Sequence, residues 1–292
     1  MQIRMRIRMR ILLASVSVLI ATPSVLSAQQ LTPAQASYLV HEVVYNELHD
    51  HELHGYWRYW IQRHTQNATL LEEQIEITDG PIKHLIRNNG QPLSPETTRE
   101  EQARLARLLS SPSEQARHRK EYFDDEKRIG RILALLPDAF AYTDAGEENG
   151  RRHLRFHPNP TYVAHSVEAR VFHAMSGDLW LDTRFKHMAR LDGHLDENLD
   201  FGYGILGRIY KGGWFRLERT QASSTDWKTI RLEVHMTGRA ILFKTIARET
   251  SETRGGFVAV PGGIDLQQGL QLLQQPNPKL ASATATALTA SN

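Results

Sequence analysis

Three histidines lie close together in the segment His49-Asp50-His51-Glu52-Leu53-His54, and imidazole nitrogens at this spacing could hold a metal ion. On a helix His51 and His54 would share a face, whereas on a strand His49 and His51 would. Zinc needs three or four converging ligands, which usually include residues from elsewhere in the fold. No further ligand with recognisable spacing is present. His49, His51 and His54 are therefore the candidate metal ligands, and a polar helix end rich in histidine is the alternative interpretation.

A second histidine motif begins at His41, where His41-Glu42-Val43-Val44-Tyr45 approaches the HExxH pattern of zinc proteases. Tyr45 occupies the position of the second histidine, so a helix here cannot present two imidazoles one turn apart. The region His41–His54 supports a metal-dependent envelope hydrolase only as an alternative function. No cofactor is predicted.

The segment Gly202–Gly207 matches the GxGxxG pattern of dinucleotide-binding proteins. That pattern binds a pyrophosphate only where it follows a strand and opens a helix. Here a turn at 211–213 and the strand-like segment Trp214–Glu218 follow instead, which argues against a nucleotide site. The chain also has no Gly-x-Ser-x-Gly nucleophile elbow. The sequence thus predicts no catalytic residues and a non-enzymatic protein.

Large aromatic residues give a different kind of candidate site. Most are explained by core packing, but a curved sheet could use some of them to line a cavity for an apolar ligand. The candidate cavity-lining residues are Trp57, Trp60, Trp180 and Trp214.

Three helices are predicted to position these residues, each from a hydroxyl residue followed by proline at the first helical position. They begin at Thr32-Pro33, Ser94-Pro95 and Ser111-Pro112. The first and third starts also carry Gln or Glu three residues after the cap, which is the capping-box pattern.

Most of the remaining chain shows the two-residue alternation of apolar and polar side chains that is typical of antiparallel strands. It is clearest from Ile230 to Met236 and also occurs in 71–77, 82–87 and 154–157. The predicted fold class is α+β. We expect a strongly curved antiparallel sheet, a half-open barrel, with an N-terminal helix and a two-helix insertion covering its concave face.

The ends of the chain differ from its middle. Residues 1–28 combine Arg4, Arg6, Arg8 and Arg10 with an apolar run from Ile11 to Ala21 and small residues before Ala28, which predicts a cleavable signal peptide. Residues 29–273 are predicted to form a single domain. Residues 274–292, rich in Ala, Ser, Thr and Pro, are predicted to be a disordered tail.

Composition excludes several functions. Removing the four signal-peptide arginines from 35 basic residues leaves 31 against 33 acidic ones, so the mature chain lacks the basic character of a nucleic-acid-binding protein. With no cysteine, the chain has no disulfide, thiolate metal site or lipidated N-terminal cysteine. We therefore expect a periplasmic or secreted protein without a transmembrane segment after signal cleavage.

Several segments resemble known proteins. The segment Gly177–Asp182, a short turn and a returning strand are similar to the outer-membrane lipoprotein-sorting (lipoprotein carrier-like) superfamily. The chain resembles more closely a group of uncharacterised secreted acidobacterial proteins, through segments that span about Asn46 to Leu273. These segments are 88–94, 136–140, 155–160, 171–175, 201–213 and 257–261.

The resemblance implies a hollow suited to an acyl chain or another apolar ligand, and it supplies no catalytic residues. Our leading prediction is a non-enzymatic protein that binds a lipid, a lipoprotein acyl chain or an apolar peptide in the concave face. The hydrolase is the first alternative to this prediction, and a structural or regulatory envelope protein that binds another protein is the second.

Overall fold

The computed structural model describes residues 30–49, 55–201, 207–240 and 244–280, so the predicted signal peptide lies outside the described residues. The helices are α1 Pro33–His49, α2 Pro95–Ser110, α3 Pro112–Leu133, α4 Leu136–Ala139, α5 Val167–His173 and α6 Leu266–Gln274. The strands are β1 Tyr56–His64, β2 Thr69–Ile75, β3 Ile82–Asn88, β4 Gln91–Pro92, β5 Phe140–Glu148, β6 Arg151–Pro158, β7 Met175–Asp182, β8 Met188–Leu195, β9 Leu199–Phe201, β10 Gly207–Ile209, β11 Trp214–Gln221, β12 Trp227–Ala240 and β13 Lys244–Val260.

The strands form one antiparallel sheet in the order β4-β3-β2-β1-β13-β12-β11-β8-β7-β6-β5, with β9 and β10 extending it beside β12. The sheet is strongly curved but does not close. Strand β1 lies between β2 and β13, so the first strand of the chain pairs with the last. The predicted α+β class with a curved antiparallel sheet is confirmed.

The three predicted helix starts are present, and each cap satisfies backbone N–H groups that have no partner within the helix. Thr32 and Gln35 form the reciprocal capping box, because the Gln35 side chain accepts from Thr32 N at 2.9 Å and Thr32 Oγ1 accepts from Gln35 N at 3.3 Å. At the starts of α2 and α3 the Ser94 side chain accepts from Thr97 N and the Ser111 side chain accepts from Glu114 N. At Ser111 the box is incomplete, since the Glu114 carboxylate pairs with Arg117 instead.

Register identifies the two faces of the sheet, because residues directly opposite each other on neighbouring strands point to the same side. One such row crosses five strands: Leu191, Leu217, Leu232, Glu252 and Arg63. Leu191 belongs to the hydrophobic cluster that includes α1, so we call this side the α1 face. The opposite side, which carries Ile75 and Ile82, packs against α6 and is called the α6 face.

The α1 face has its main core over β5 to β8. Side chains of α1 pack there with α4, α5 and the four strands, including Val40, Val43, Phe140, Leu154 and Leu179. Half-buried Ile132 and Leu133, near the end of α3, pack against the same cluster. This part of the α1 face is therefore filled by protein side chains.

The α6 face has its core at the other end of the sheet, over β2 and β3. Leu270 and Leu273 of α6 and Leu108 of α2 pack there against Ile75 and Ile82. The two helices of the insertion thus differ in location, since α2 lies on the α6 face and α3 reaches the α1 face. Within the described residues, none of the helices has an apolar stretch long enough to span a bilayer.

The chain after α6 continues along the α6 face. The Arg58 side chain donates to the backbone oxygen of Gln275 at 2.7 Å, and Asn277 donates to Glu73 at 2.6 Å. Leu280 packs against Trp60. The first residues of the predicted tail, 275–280, are thus packed on the sheet, and residues 281–292 lie outside the described residues.

A close approach of backbones occurs where β7 and β8 pair Gly177 with Gly193. A Cβ atom on Gly177 would lie 1.9 Å from the backbone oxygen of Asp192 and 2.9 Å from the ring of Phe156. Only glycine fits at this position, which explains why residue 177 of β7, the strand that also carries Trp180, is a glycine.

Candidate functional site

The structure describes only one of the three candidate metal ligands. His49 is exposed at the end of α1, where its ring stacks on Tyr45 at 4.1 Å and its Nδ1 lies 2.7 Å from the Tyr45 backbone oxygen. His51 and His54 lie outside the described residues. Among the residues that are described, no three His, Asp or Glu side chains are placed to hold a metal ion.

The two motif-like segments of the sequence also have structural contexts. His41 is exposed on α1 and faces Asp138, with 3.6 Å between Nε2 and Oδ1. Gly207, the last residue of the GxGxxG match, begins strand β10, which pairs with β9 as a hairpin arm. Residues 202–206 of the match lie outside the described residues, and Gly207 itself lies in a strand.

The four candidate tryptophans do not line a common cavity. Trp57 lies on the α1 face, packs with Tyr59 and Ile61, and donates from Nε1 to Asp226 at 3.2 Å. Alternation places Trp60, Trp180 and Trp214 on the α6 face instead. The four tryptophans are thus divided between the two faces, because residues such as Trp57 and Trp60 point to opposite sides of one strand.

Trp180 and Trp214 take part in polar arrangements on the α6 face. Trp180 stacks on His153 at 4.5 Å, the guanidinium of Arg190 lies 4.6 Å from the Trp180 ring, and Trp214 stacks on His235. An open cleft of about 640 Å³ lies beside Trp180 and His153 and includes Glu147. This cleft is polar and does not suit an acyl chain.

An apolar strip runs along β12 on the α1 face. Its members alternate with polar residues, are all half-buried, and belong to none of the hydrophobic clusters of the described residues: Ile230, Leu232, Val234 and Met236. Phe215 and Leu217 on β11 lie directly opposite Val234 and Leu232 and join the strip to the α1 core. Six residue steps of about 3.4 Å make the strip about 20 Å long, which is the length of a long acyl chain.

Charged side chains begin on the same face one strand further along the sheet. Glu252 lies directly opposite Leu232, and Arg63 lies directly opposite Glu252. Arg63 Nε donates to Glu252 at 2.8 Å, and Arg254 Nη2 donates to the other Glu252 oxygen at 2.8 Å. Glu72 Oε2 lies 3.4 Å from Arg63 Nη1. With Lys83, these residues form a charged cluster on β13, β1, β2 and β3.

The cluster has more basic than acidic side chains, and these side chains are partly removed from water. Burial and then the neighbouring Arg63 guanidinium lower the pKa of Lys83. Burial alone would raise the pKa of Glu252, but the hydrogen bond and charge of Arg254 hold it below its ordinary value. Arg254 Nε is buried without a hydrogen-bond partner among the described residues. Glu72 Oε2 is likewise buried without a hydrogen-bond partner there, so the cluster keeps an unused acceptor as well as an unused donor.

A buried acid–histidine pair closes the other border of the strip. Glu47 of α1 accepts from Met188 N at 2.9 Å, pairs with Arg219 of β11, and lies 3.3 Å from His187 Nδ1. Although burial opposes ionisation, the Arg219 charge lowers the pKa of Glu47 to about 2. All three partners hold the carboxylate in place. The group anchors α1 to the sheet.

Sequence reasoning missed the charged cluster although the alternation contained a signal for it. In the alternating segment 71–77, Glu72 lies on the side opposite the apolar residues Leu71 and Ile75. Arg63 on β1 and Lys83 on β3 point to the same face of the sheet as Glu72. Charged side chains on one face of three neighbouring strands could have indicated a common charged surface.

Comparison of the chain with models of known protein families, with curated proteins and with solved structures finds no match.

Proposed function

We propose that the protein is a non-enzymatic carrier or binding protein that holds an amphiphile with a long apolar chain on the α1 face of its sheet. The observation that supports this most is the apolar strip on β12, which is half-buried and outside the cores. The α1 core lies on one side of the strip and the charged cluster on the other, so the strip has defined borders. The chain resemblance to lipoprotein carriers points to the same class of ligand.

The strip suits binding better than catalysis. Its borders are the Glu47 anchor and the charged cluster, whose carboxylates Glu72 and Glu252 are both balanced by Arg63. An apolar chain that covers Leu232 and Val234 would remove their remaining exposed area from water, at about 25 cal/mol per Å².

The proposal is tested with protein purified from the envelope of its producing cells. Native mass spectrometry should detect a bound amphiphile, and Leu232→Ser should lower the affinity for a dodecyl-chain ligand about tenfold, because one leucine contact contributes on the order of 1.5 kcal/mol. Glu233→Ser is the matched control, since Glu233 is the next residue and points to the α6 face. Equal binding by both variants, or none by the unaltered protein, would count against the proposal.

The proposal includes export to the periplasm or beyond, which rests on the pattern of residues 1–28. Sequencing the N-terminus of the protein from envelope fractions should give Gln29 or a close neighbour. A chain that lacks residues 2–28 should stay in the cytoplasm. An intact Met1 in the envelope fraction would contradict the cleavable signal.

A protein partner is the second candidate, and it is favoured by an exposed aromatic stripe on α1. Tyr38 and Tyr45 are 72% and 61% exposed and lie two helical turns apart. Tyrosines are enriched in the centres of protein interfaces. Cross-linking in cells that depends on Tyr38 and Tyr45, in protein without a bound amphiphile, would favour this function over the first.

A further inference from the structure

The charged cluster on the α1 face contains more positive than negative groups. Arg63, Lys83 and Arg254 supply three cations, whereas Glu72 and Glu252 supply two carboxylates, and Lys83 interacts electrostatically with the other four. All five side chains point to the α1 face, as the register of β1, β2, β3 and β13 requires. The cluster therefore carries one uncompensated positive charge.

Two of the cations have donors to offer. The Lys83 ammonium group makes no hydrogen bond or ion pair with the residues that the structure describes, and Arg254 Nε is buried without an acceptor there. Buried donors without acceptors are costly, and each costs about 1–3 kcal/mol when it stays unpaired. An incoming anion would satisfy these donors. The carboxylates are already paired by charge, Glu72 with Arg63 and Glu252 with Arg63 and Arg254, although Glu72 Oε2 has no hydrogen-bond partner among the described residues.

The cluster is continuous with the apolar strip. Leu232 of the strip and Glu252 of the cluster are directly opposite on neighbouring strands, which are about 4.8 Å apart. A ligand with its chain along β12 would thus have its polar end over β13 and β1. No described helix forms a hydrophobic cluster with this part of the α1 face.

We infer that the cluster Arg63–Lys83–Arg254 binds the anionic head group of the ligand, so that the protein selects amphiphiles with a phosphate or carboxylate end. This inference rests on the proposed function and specifies its substrate class. Charge-assisted hydrogen bonds from ammonium and guanidinium groups to such anions are about twice as strong as neutral ones. The surrounding low dielectric strengthens them further.

The test compares three probes that share a dodecyl chain: dodecyl phosphate, dodecanoate and the uncharged dodecyl maltoside. Calorimetric titration below their micelle concentrations should give affinities for the two anions about tenfold or more above that for the maltoside. The stronger of the two anions identifies a phosphate or a carboxylate as the natural head group. The preference should weaken at high salt, because added ions screen the charges.

Lys83→Gln should remove most of this preference, whereas Lys83→Arg should retain it. Lys83 is a suitable position because its loss leaves no carboxylate unpaired. Lys211→Gln is the matched control, since Lys211 is exposed in the turn before β11 and its replacement changes the net charge equally.

Equal affinities for all three probes, or undiminished anion binding by Lys83→Gln, would overturn the inference while leaving the apolar binding function in place. Absence of binding by every probe would overturn both. Thermal unfolding of each variant ensures that a loss of binding is not a loss of fold.

Discussion

Glu47 is the residue that ties the C-terminal end of α1 to the sheet. Its side chain is 5% exposed and contacts Arg219, His187 and the backbone of Met188. These partners come from β11 and from the start of β8, so one carboxylate fixes the helix against two strands. The border of the apolar strip depends on this contact.

We predict that this carboxylate makes stability depend on acid. The pKa of Glu47 is about 2 in the folded protein against an ordinary 4.5, so the folded state favours the ionised form. Its contribution, on the order of 3 kcal/mol, is fully present above about pH 5 and is lost as the pH falls towards about 2.

Urea unfolding of the unaltered protein and of Glu47→Gln between neutral and acidic pH measures this contribution. The stability difference should be largest at neutral pH and should shrink with acidification. Glu42→Gln is the control, because Glu42 is half exposed and pairs with Lys186 at the surface, where an ion pair contributes less than about 1 kcal/mol. Parallel pH curves for the unaltered protein and Glu47→Gln would contradict the prediction.

A second prediction at this scale concerns Gly177. Alanine there would place a Cβ atom against the Asp192 backbone oxygen, which cannot move without shifting β8. We expect a loss of stability of about 2 kcal/mol or more, measured by thermal or urea unfolding. Gly130→Ala is the control, since the nearest atom, Leu48 Cδ2, is 3.6 Å from the added methyl group. That helical change should be neutral or stabilising by up to about 1 kcal/mol, and a tolerated Gly177→Ala would show that the strands can separate.

Among the elements, the helices show how far local signals extend. The three helices with Ser or Thr before Pro were predictable, because proline at the first helical position and a hydroxyl cap act within four residues. Helix α6 was missed although Asp265 and Gln268 form a complete capping box. Its apolar residues Leu266, Leu270 and Leu273 have helical spacing, so the signal was present but short.

We predict that Asp265→Ala lowers stability by about 1 kcal/mol, because the cap oxygen that accepts from Gln268 N at 2.8 Å is removed. Chemical unfolding monitored by far-ultraviolet circular dichroism measures the change. Asp125→Ala, at an exposed position within α3, is the matched control and should change stability by less than about 0.5 kcal/mol. An equal effect of both changes would indicate that the cap of α6 contributes nothing specific.

The candidate site was less predictable than the elements around it. Alternation in β2 and β12 indicated which residues share a side, but a sequence does not state which side of each strand faces which side of the next. That relation depends on register across the pair β1 and β13, whose residues are far apart in the chain. For this reason the cluster around Arg63 was not identified, whereas the opposite sides of Trp57 and Trp60 follow from alternation within the single strand β1.

At the scale of the whole molecule, the pairing of β1 with β13 joins the two ends of the chain. Residues 56–64 hydrogen-bond with residues 251–260, and α6 then packs on β2 and β3. Strands β1 to β3 therefore depend on the last part of the chain for one neighbour and for much of their apolar cover.

We predict that a chain ending at Ala240 loses the protection of β1 to β3 against amide hydrogen exchange. In the shortened chain β1 keeps only β2 as a neighbour, and the remaining strands β1 to β4 lose the apolar cover of α6, without which a small sheet is marginally stable in water. Exchange measured by mass spectrometry should show protection concentrated in β5 to β8, where α1 supplies a local core. A chain ending at Leu280 is the control and should match the full protein. Protected β1 amides in the shorter chain would contradict this account.

The order of strands also affects when the molecule can become rigid. A polypeptide that emerges N-terminus first, from a ribosome or through a narrow channel, presents β1 long before residues 244–260 exist on the same side. Long-range pairing of this kind is slow, because the entropy of closing a large loop is lost before any stabilising contact forms. The growing chain consequently stays incompletely folded, and able to pass through a narrow channel, for almost its whole length. The sheet is completed only when the final strand pairs with β1.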